Sequence, residues 1–409
     1  MKIWIKYLIG IALGIVTAFV LPESYLQETG IVSFLSDIAI RTVRFLLVPL
    51  MFFSFTVAVF KLRDTKKFFK TLLISGIIIV SITVVFTILG LVAIFIVKLP
   101  RIPISADRVT QVATVNILEN IKALFPYSGF ESLINGTYLL PALILAGLLG
   151  IGCAVDKTDS KPTVALFDSL TKLCNSVMNF FIDIFAVGLV AVTSLWTFQF
   201  FEVLTSGIYN GLIILLFSIL FLIAVVIYPL ILYFVCKEPH PYRVLYASLG
   251  TLFAAFLSGD TNLTLALAMR HNRESLGIKR RSTSSVTPIL AIFSRAGSAL
   301  VVSISFIVIF RSYNALGISF HDIMWVAGFS IVSSFFLGAL PTGSTFYALT
   351  LLCTMYGRGF EAGYLLLKPV AFILCSFAAA IDSLTMIFGT YIVSQKMKTT
   401  ERQEIKYFI

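Results

Sequence analysis

Charge is scarce in this chain of 409 residues: Asp, Glu, Lys and Arg make up 12%, against 58% hydrophobic residues. Soluble domains carry about 25% charged residues. Half that charge cannot cover a globular surface of this size, so a soluble protein is excluded. Histidine is scarcer still, and His240, His271 and His321 are all expected at loop positions. They offer no metal cluster and no Ser–His dyad at depth. The five cysteines, Cys153, Cys174, Cys236, Cys353 and Cys375, lie in or beside apolar runs. No two are spaced as a metal knuckle or redox motif, so they read as small buried hydrophobes. A Walker loop and a Rossmann fingerprint are missing as well. Nothing points to an enzyme, and no cofactor is expected.

What the chain does have is Phe, 38 of them, and basic residues, 31 against 20 acidic for a net charge of +11. On a soluble protein that excess would suggest nucleic acid. Here the basic residues sit at the ends of apolar runs, and no basic stripe with interleaved aromatics occurs. No nucleic-acid partner is expected. The partner is the lipid bilayer, and the chain reads as a multi-pass protein of the cytoplasmic (inner) membrane.

Six apolar segments in the first 236 residues approach the ~20 residues that cross a bilayer as a helix. They are Tyr7–Leu21, Ile38–Phe60, Thr71–Val97, Tyr138–Val155, Asn175–Leu195 and Leu212–Cys236. Lys2 and Lys6 place the N-terminus in the cytoplasm. Three loops then hold Lys61, Arg63, Lys66, Lys67 and Lys70; Lys157, Lys161 and Lys172; and Lys237 and Arg243. All three fall inside, as positive loops should. A signal peptide is the other reading of the first segment, but no clear small-x-small cleavage site follows it.

The second half carries more information. Leu245–Met269 is long enough to cross, yet Ser258-Gly259-Asp260-Thr261-Asn262 interrupts it. A crossing would put Arg270, Arg273, Lys279, Arg280 and Arg281 outside, against the positive-inside rule. A re-entrant hairpin with a polar tip keeps them inside. Ser282–Phe310 then crosses outward. Met324–Met355 is interrupted by Gly338-Ala339-Leu340-Pro341-Thr342-Gly343-Ser344 and reads as a second hairpin, entered from outside. Gly363–Ser394 returns to a basic tail. The result is an all-α protein of eight spans and two opposed hairpins, with both termini inside. Two broken segments at corresponding places, each followed by a full helix, point to inverted repeats and a site near the midplane.

Few charges lie deep in this half. Asp260 is at the first hairpin tip. Arg295 is fourteen residues past Arg281, roughly 20 Å along a helix. Asp382 lies as far before Lys396. A charge at the bilayer centre costs at least about 2.5–3.5 kcal/mol, so each needs a partner or a wet cavity. Arg295 against Asp382, Asp260 or both is the economical pairing, with a static ion pair between two helices as the plainer alternative. Asp183 and Lys368 are further candidates, though Lys368 can snorkel from its position near Glu361. An intramembrane aspartyl protease would need Asp260 and Asp382 to share a proton, and Arg295 beside them keeps both ionised.

The stretch Arg44-Phe45-Leu46-Leu47-Val48-Pro49-Leu50-Met51-Phe52-Phe53-Ser54, followed by Lys61-Leu62-Arg63-Asp64, resembles the second helix of the dicarboxylate/amino acid:cation symporters, the glutamate transporter family. The likeness continues at Asn175-Ser176-Val177-Met178-Asn179, at the first hairpin with Met269-Arg270, and around Pro341. It covers nearly the whole chain. It implies a homotrimer in which a transport region slides against a scaffold. The implied division is 1–70 (scaffold helices one and two), 71–135 (third helix and external loop), 136–208 (scaffold helices four and five), 209–395 (transport region) and 396–409 (cytoplasmic tail).

The resemblance also implies sites. Substrate contacts would come from Asp260, Thr261, Asn262, Arg295, Pro341, Thr342, Gly343, Ser344, Asp382 and Ser383. Ion coupling would come from Ser294, Arg295, Gly297, Ser298 and Thr390. These positions depart from the family pattern. Ser294-Arg295-Ala296-Gly297-Ser298 stands for the family's Asn-Met-Asp-Gly-Thr, so the sodium-binding Asp is Ala296 and the Met is Arg295. In the last helix, Ala379 stands where an Asp contacts the substrate amino group, and Asp382 where an Arg holds the side-chain carboxylate. Met386 and Thr390 replace the sodium-binding Asn and Asp.

These losses share one physical reading. Sodium is a hard ion that wants oxygen ligands, and a fixed guanidinium in its place would repel it and stand in for its charge. The expectation is a transporter of amino acids or dicarboxylates that works without sodium, with a proton as a candidate coupling ion through Asp260 or Asp382. An anion-conducting channel and a non-transporting ligand sensor on the same scaffold are the alternatives.

Overall fold

In lipid every backbone polar group needs an internal partner, which apolar segments of this length achieve as helices. The computed structural model describes residues 2–27, 29–97, 99–103, 122, 126–134, 138–314, 317–337, 343–401 and 403–409. Among them the regular structure is helical, apart from one isolated antiparallel bridge between Ile278 and Thr400. Seven stretches are long and apolar enough to cross a membrane, and three shorter apolar helices accompany them.

The elements used below are α1 (Ile3–Val20), α2 (Ile31–Arg44), α3 (Leu47–Asp64), α4 (Phe68–Ile96), α5 (Leu139–Val155) and α6 (Lys161–Ser206). There follow α7 (Asn210–Phe221), α8 (Tyr228–Cys236), α9 (Tyr242–Ser258), α10 (Leu265–Glu274), α11 (Arg280–Phe293) and α12 (Ala296–Tyr313). The last are α13 (Phe320–Leu337), α14 (Ser344–Tyr356) and α15 (Ala371–Lys396).

Two stretches form the core. Arg280–Tyr313 and Gly363–Lys396 have 94% and 89% of their apolar windows buried in protein, whereas Ile3–Val20 has 22%. The outer helices turn large apolar side chains outward, including Leu13, Val16 and Phe19 on α1, Leu73 and Ile77 on α4, and Phe180 and Val187 on α6. Lipid contact explains a surface that water would not tolerate. Helix α1 lies along α6. A Cβ at Gly10 would meet the Ala186 carbonyl oxygen at 2.3 Å, and one at Gly14 the Thr193 Cβ at 2.6 Å. Small residues four apart allow that approach between membrane helices.

The second apolar segment, expected as one span over Ile38–Phe60, is two helices. Helix α2 ends at Arg44, and α3 starts at Leu47. Pro49 gives the reason: its nitrogen has no hydrogen to donate to the Phe45 carbonyl, and the first turn of a helix is where that loss is tolerated. Pro229 acts similarly between α7 and α8, where Leu222–Ile227 widen into a π-helix. The Val225 carbonyl, four residues before this proline, accepts a hydrogen bond from the Tyr242 hydroxyl at 3.3 Å.

In each interrupted segment the helices before and after the interruption pack on one another, and their far ends lie together. For the first, Tyr246 near the start of α9 packs on Phe408, and Ser275 after α10 accepts from the Ile409 amide. For the second, Asp322 at the start of α13 pairs with Arg358 beyond α14 at 3.3 Å. The loops expected in the cytoplasm also converge. Asp168 meets Lys61 at 3.3 Å, Lys172 at 3.0 Å and Arg280 at 3.7 Å, and Asp64 meets Lys157 at 2.5 Å. Arg311, Ser312 and Phe360 gather at the opposite end, where Arg311 donates to the Ile94 carbonyl at 2.9 Å.

The tail, expected to be a simple cytoplasmic extension, is docked. Lys279 donates its amide to the Thr399 carbonyl, and Glu401 donates its own to Gly277, both at 2.9 Å. Phe408 is buried beneath the Arg243 guanidinium and beside Tyr246. The Tyr246 hydroxyl in turn accepts from Lys2 and Trp4 of the N-terminal segment.

Candidate functional site

The site forms where the core stretch 280–313 stops being helical. Ser294 and Arg295 carry ψ values of 73° and 47°, far from helical, and α12 restarts at Ala296. A restart exposes backbone N–H groups that need acceptors. Asp382, from the middle of α15, supplies them: its Oδ1 accepts the amides of Gly297 at 2.7 Å and Ser298 at 3.3 Å. Its Oδ2 accepts the Ser298 hydroxyl at 2.6 Å. The carboxylate is an N-cap delivered from another helix, favoured also by the helix dipole.

This capping requires close contact between α12 and α15. A Cβ on Gly297 would stand 2.7 Å from the Ala378 carbonyl oxygen and 2.6 Å from the Ile381 Cβ. Position 297, expected as an ion-coupling residue, is first a point of backbone contact.

Arg295 projects from the break and is 3% exposed. Its Nη2 donates to the Asn262 Oδ1 at 2.5 Å, and its Nη1 lies 3.9 Å from the Asp382 Oδ2. Its Nε has no partner among the described residues. The first hairpin tip therefore touches the helix break through Asn262. The second hairpin reaches the same place through Thr345, whose hydroxyl lies 3.1 Å from that of Ser298. Pro341 and Thr342 lie outside the described residues, while Gly343 has φ +81° and Ser344 opens α14.

Asp260 has a different partner from the one its depth suggested. It closes the first hairpin's turn, accepting the Asn262 amide at 3.0 Å and the Leu263 amide at 3.2 Å. Gly259, at φ +61°, provides the left-handed step that ends α9 before it. The charge on Asp260 is met by Arg44, the last residue of α2, through Nη2 and through Nε at 3.1 Å. The deep charges are thus two pairs, Arg44 with Asp260 and Arg295 with Asp382.

Arg44 and Thr345 were not singled out as site residues from sequence. Arg44 stood in the stretch that carries the resemblance, as an ionisable residue within the apolar segment Ile38–Phe60. That was the available signal. Thr345, an ordinary hydroxyl in an apolar helix, gave none.

The remaining candidates divide. Thr261 Oγ1 and Ser294 Oγ, each one residue before a member of the Asn262–Arg295 bond, are buried without a partner among the described residues. Ser383 is buried but donates to the Ala380 carbonyl of its own helix at 2.8 Å. Thr390 lies eight residues past Asp382, about 12 Å along a helix, with Thr287 at 3.3 Å. Thr287 also receives the Asn272 amide group at 3.2 Å. The structure therefore brings Asp260, Thr261, Asn262, Ser294, Arg295, Gly297, Ser298 and Asp382 to the helix break and leaves Thr390 in a separate polar cluster. Asp183, expected as a further deep charge, pairs with Lys6 at 3.1 Å and Arg270 at 3.6 Å. Among the described residues, no three His, Cys, Asp or Glu side chains are grouped to hold a metal ion.

The arrangement gathers a buried guanidinium, hydroxyls and two carboxylates, groups suited to holding a charged solute. Comparison with known proteins places the chain in a family. The sequence profile described as the sodium:dicarboxylate symporter family matches residues 3–396. The chain is 24% identical to a serine/threonine transporter of Enterococcus faecalis over 316 residues, 73% of its own length and 69% of the relative's. It is also 24% identical to a proton/sodium-glutamate symport protein of Geobacillus stearothermophilus over 321 residues, 75% and 74% of the two lengths.

Proposed function

This chain belongs to the sodium:dicarboxylate symporter family, and from that membership we propose that it is a secondary-active transporter of amino acids or dicarboxylates that works without sodium. The relatives named for serine/threonine and for glutamate favour an amino acid. The observation that carries the sodium reading is Arg295. A buried guanidinium occupies the helix break, hydrogen-bonded to the first hairpin tip and facing Asp382. Where the resemblance puts sodium ligands, this chain has Ala296, Met386 and Thr390, and the nearest carboxylate, Asp382, already accepts two backbone amides and a hydroxyl. A bare sodium ion placed there would meet a fixed positive charge in a low-dielectric surrounding. Arg295 then supplies permanently what a coupling ion supplies transiently.

In this reading the two hairpins enter the membrane from opposite sides, and both termini lie in the cytoplasm, where the basic loops converge. The transport region, residues 209–395, moves against the scaffold helices in a homotrimer. The test is uptake of labelled L-serine, L-aspartate and succinate into proteoliposomes under sodium, potassium and choline gradients. Saturable uptake and counterflow of at least one solute, equal in the three salts, is the expected result. Uptake that requires an inward sodium gradient overturns sodium independence, and conductance without counterflow points instead to an anion channel.

A further inference from the structure

Asp260 and Asp382 are both buried carboxylates, but only one is free to change partners. Asp382 is fully committed to the start of α12 and to Arg295. Asp260 has two bonds within its own turn, and its charge is met by a residue from elsewhere in the chain, Arg44. Arg44 terminates α2, a helix placed with the scaffold, and its side chain is 28% exposed where that of Asp260 is 4% exposed. The pair is therefore a bond between the hairpin tip and a helix outside it, with its cation at the less enclosed end.

On the two residues that the Asn262–Arg295 bond brings together and their neighbours in sequence, three buried polar atoms have no partner among the described residues: Thr261 Oγ1, Ser294 Oγ and Arg295 Nε. Native proteins rarely leave such atoms unsatisfied without a ligand or water to claim them. One free guanidinium nitrogen and two hydroxyls suit a carboxylate. An amino acid bound there by its carboxylate still needs an acceptor for its ammonium group. Ala379, where the family resemblance would place an Asp for that purpose, has nothing to offer.

We propose that Asp260 receives the substrate's ammonium group, and that Arg44 is its stand-in on the empty protein. Substrate and Arg44 compete for one carboxylate. The empty hairpin is held to α2, and binding an amino acid releases it. This rests on the transporter reading above and narrows it: solutes with an α-ammonium group engage the hairpin tip, and dicarboxylates without one do not.

The proposal makes opposed predictions for the two halves of the pair. Affinities of L-serine, L-aspartate and succinate are measured by thermal shift and calorimetry on the detergent-solubilised full-length protein. Arg44→Gln should tighten the amino acids about tenfold, equivalent to removing about 1.4 kcal/mol of competition. Asp260→Asn should weaken them, and neither change should alter succinate. Amino acid binding that Arg44→Gln weakens or leaves unchanged overturns the competition, as does an equal effect on succinate. The double variant Arg44→Gln with Asp260→Asn reads the latch without any substrate, since Asn keeps an oxygen for the turn amides. Its loss of melting temperature should be smaller than the sum of the two single losses, and strictly additive losses refute the pairing. If the wild type binds none of the three solutes while the losses are non-additive, the latch stands, and the transporter reading with its ammonium site falls.

Discussion

Asp382 and Arg295 are joined less by their mutual attraction than by what each does for the helix break. The carboxylate caps α12, and the guanidinium ties the first hairpin tip to it through Asn262. Removing one member of a buried ion pair leaves the other charged and unpaired, which costs about 3–5 kcal/mol. Asp382→Ala should therefore lower stability by about that much, measured by thermal unfolding in detergent. Adding Arg295→Met should recover part of the loss, because the uncompensated cation disappears while the missing cap remains. A double variant no more stable than Asp382→Ala would assign the whole effect to the cap. Both residues were legible in the sequence, since an ionisable side chain in an apolar run announces itself. The partner of Asp260 was not. Arg44 is 216 residues away, and no periodic pattern encodes which charges meet across that distance. The closeness of Gly297 to Ala378 was equally hidden, because it depends on how two helices cross.

At the scale of elements, the two interruptions could be read from the sequence, and the helices on either side of each do pack together. The sequence was less informative about continuity. A hydropathy run does not reveal that Pro49 divides it into α2 and α3, although the proline itself is plain to see. The docked tail was unreadable because its contacts are mostly backbone hydrogen bonds and one aromatic side chain. Phe408 is the anchor: it is buried, lies under Arg243 and packs on Tyr246. Truncating a buried Phe to Ala costs about 3–5 kcal/mol in a core, and here the loss should stay local. Phe408→Ala should speed amide exchange at Lys279 and Glu401, whose hydrogen bonds stitch the tail to the loop after α10. Exchange in α12 should be unchanged. Protection at Lys279 and Glu401 as strong as in the wild type would mean that the tail is held by its backbone alone.

At the scale of the whole molecule, the buried ion pairs differ in kind. Arg295 and Asp382 belong to the same moving region in the proposed cycle and travel as a neutral unit. Arg44 and Asp260 do not: the cation stays with α2 while the carboxylate moves with the hairpin. Should the pair open without substrate bound, the moving region would carry one uncompensated negative charge into the electric field of the membrane. A full elementary charge moved across 100 mV is worth about 2.3 kcal/mol. An inside-negative voltage should therefore push the empty carrier toward its outward position. Voltage steps on substrate-free protein in a supported bilayer should give a brief capacitive current that Asp260→Asn abolishes, and a wild type without one would show that the carboxylate never enters the field. With the pair closed the tip is neutral, so in the proposed cycle it is the opening of this one salt bridge that would couple the empty protein to membrane voltage.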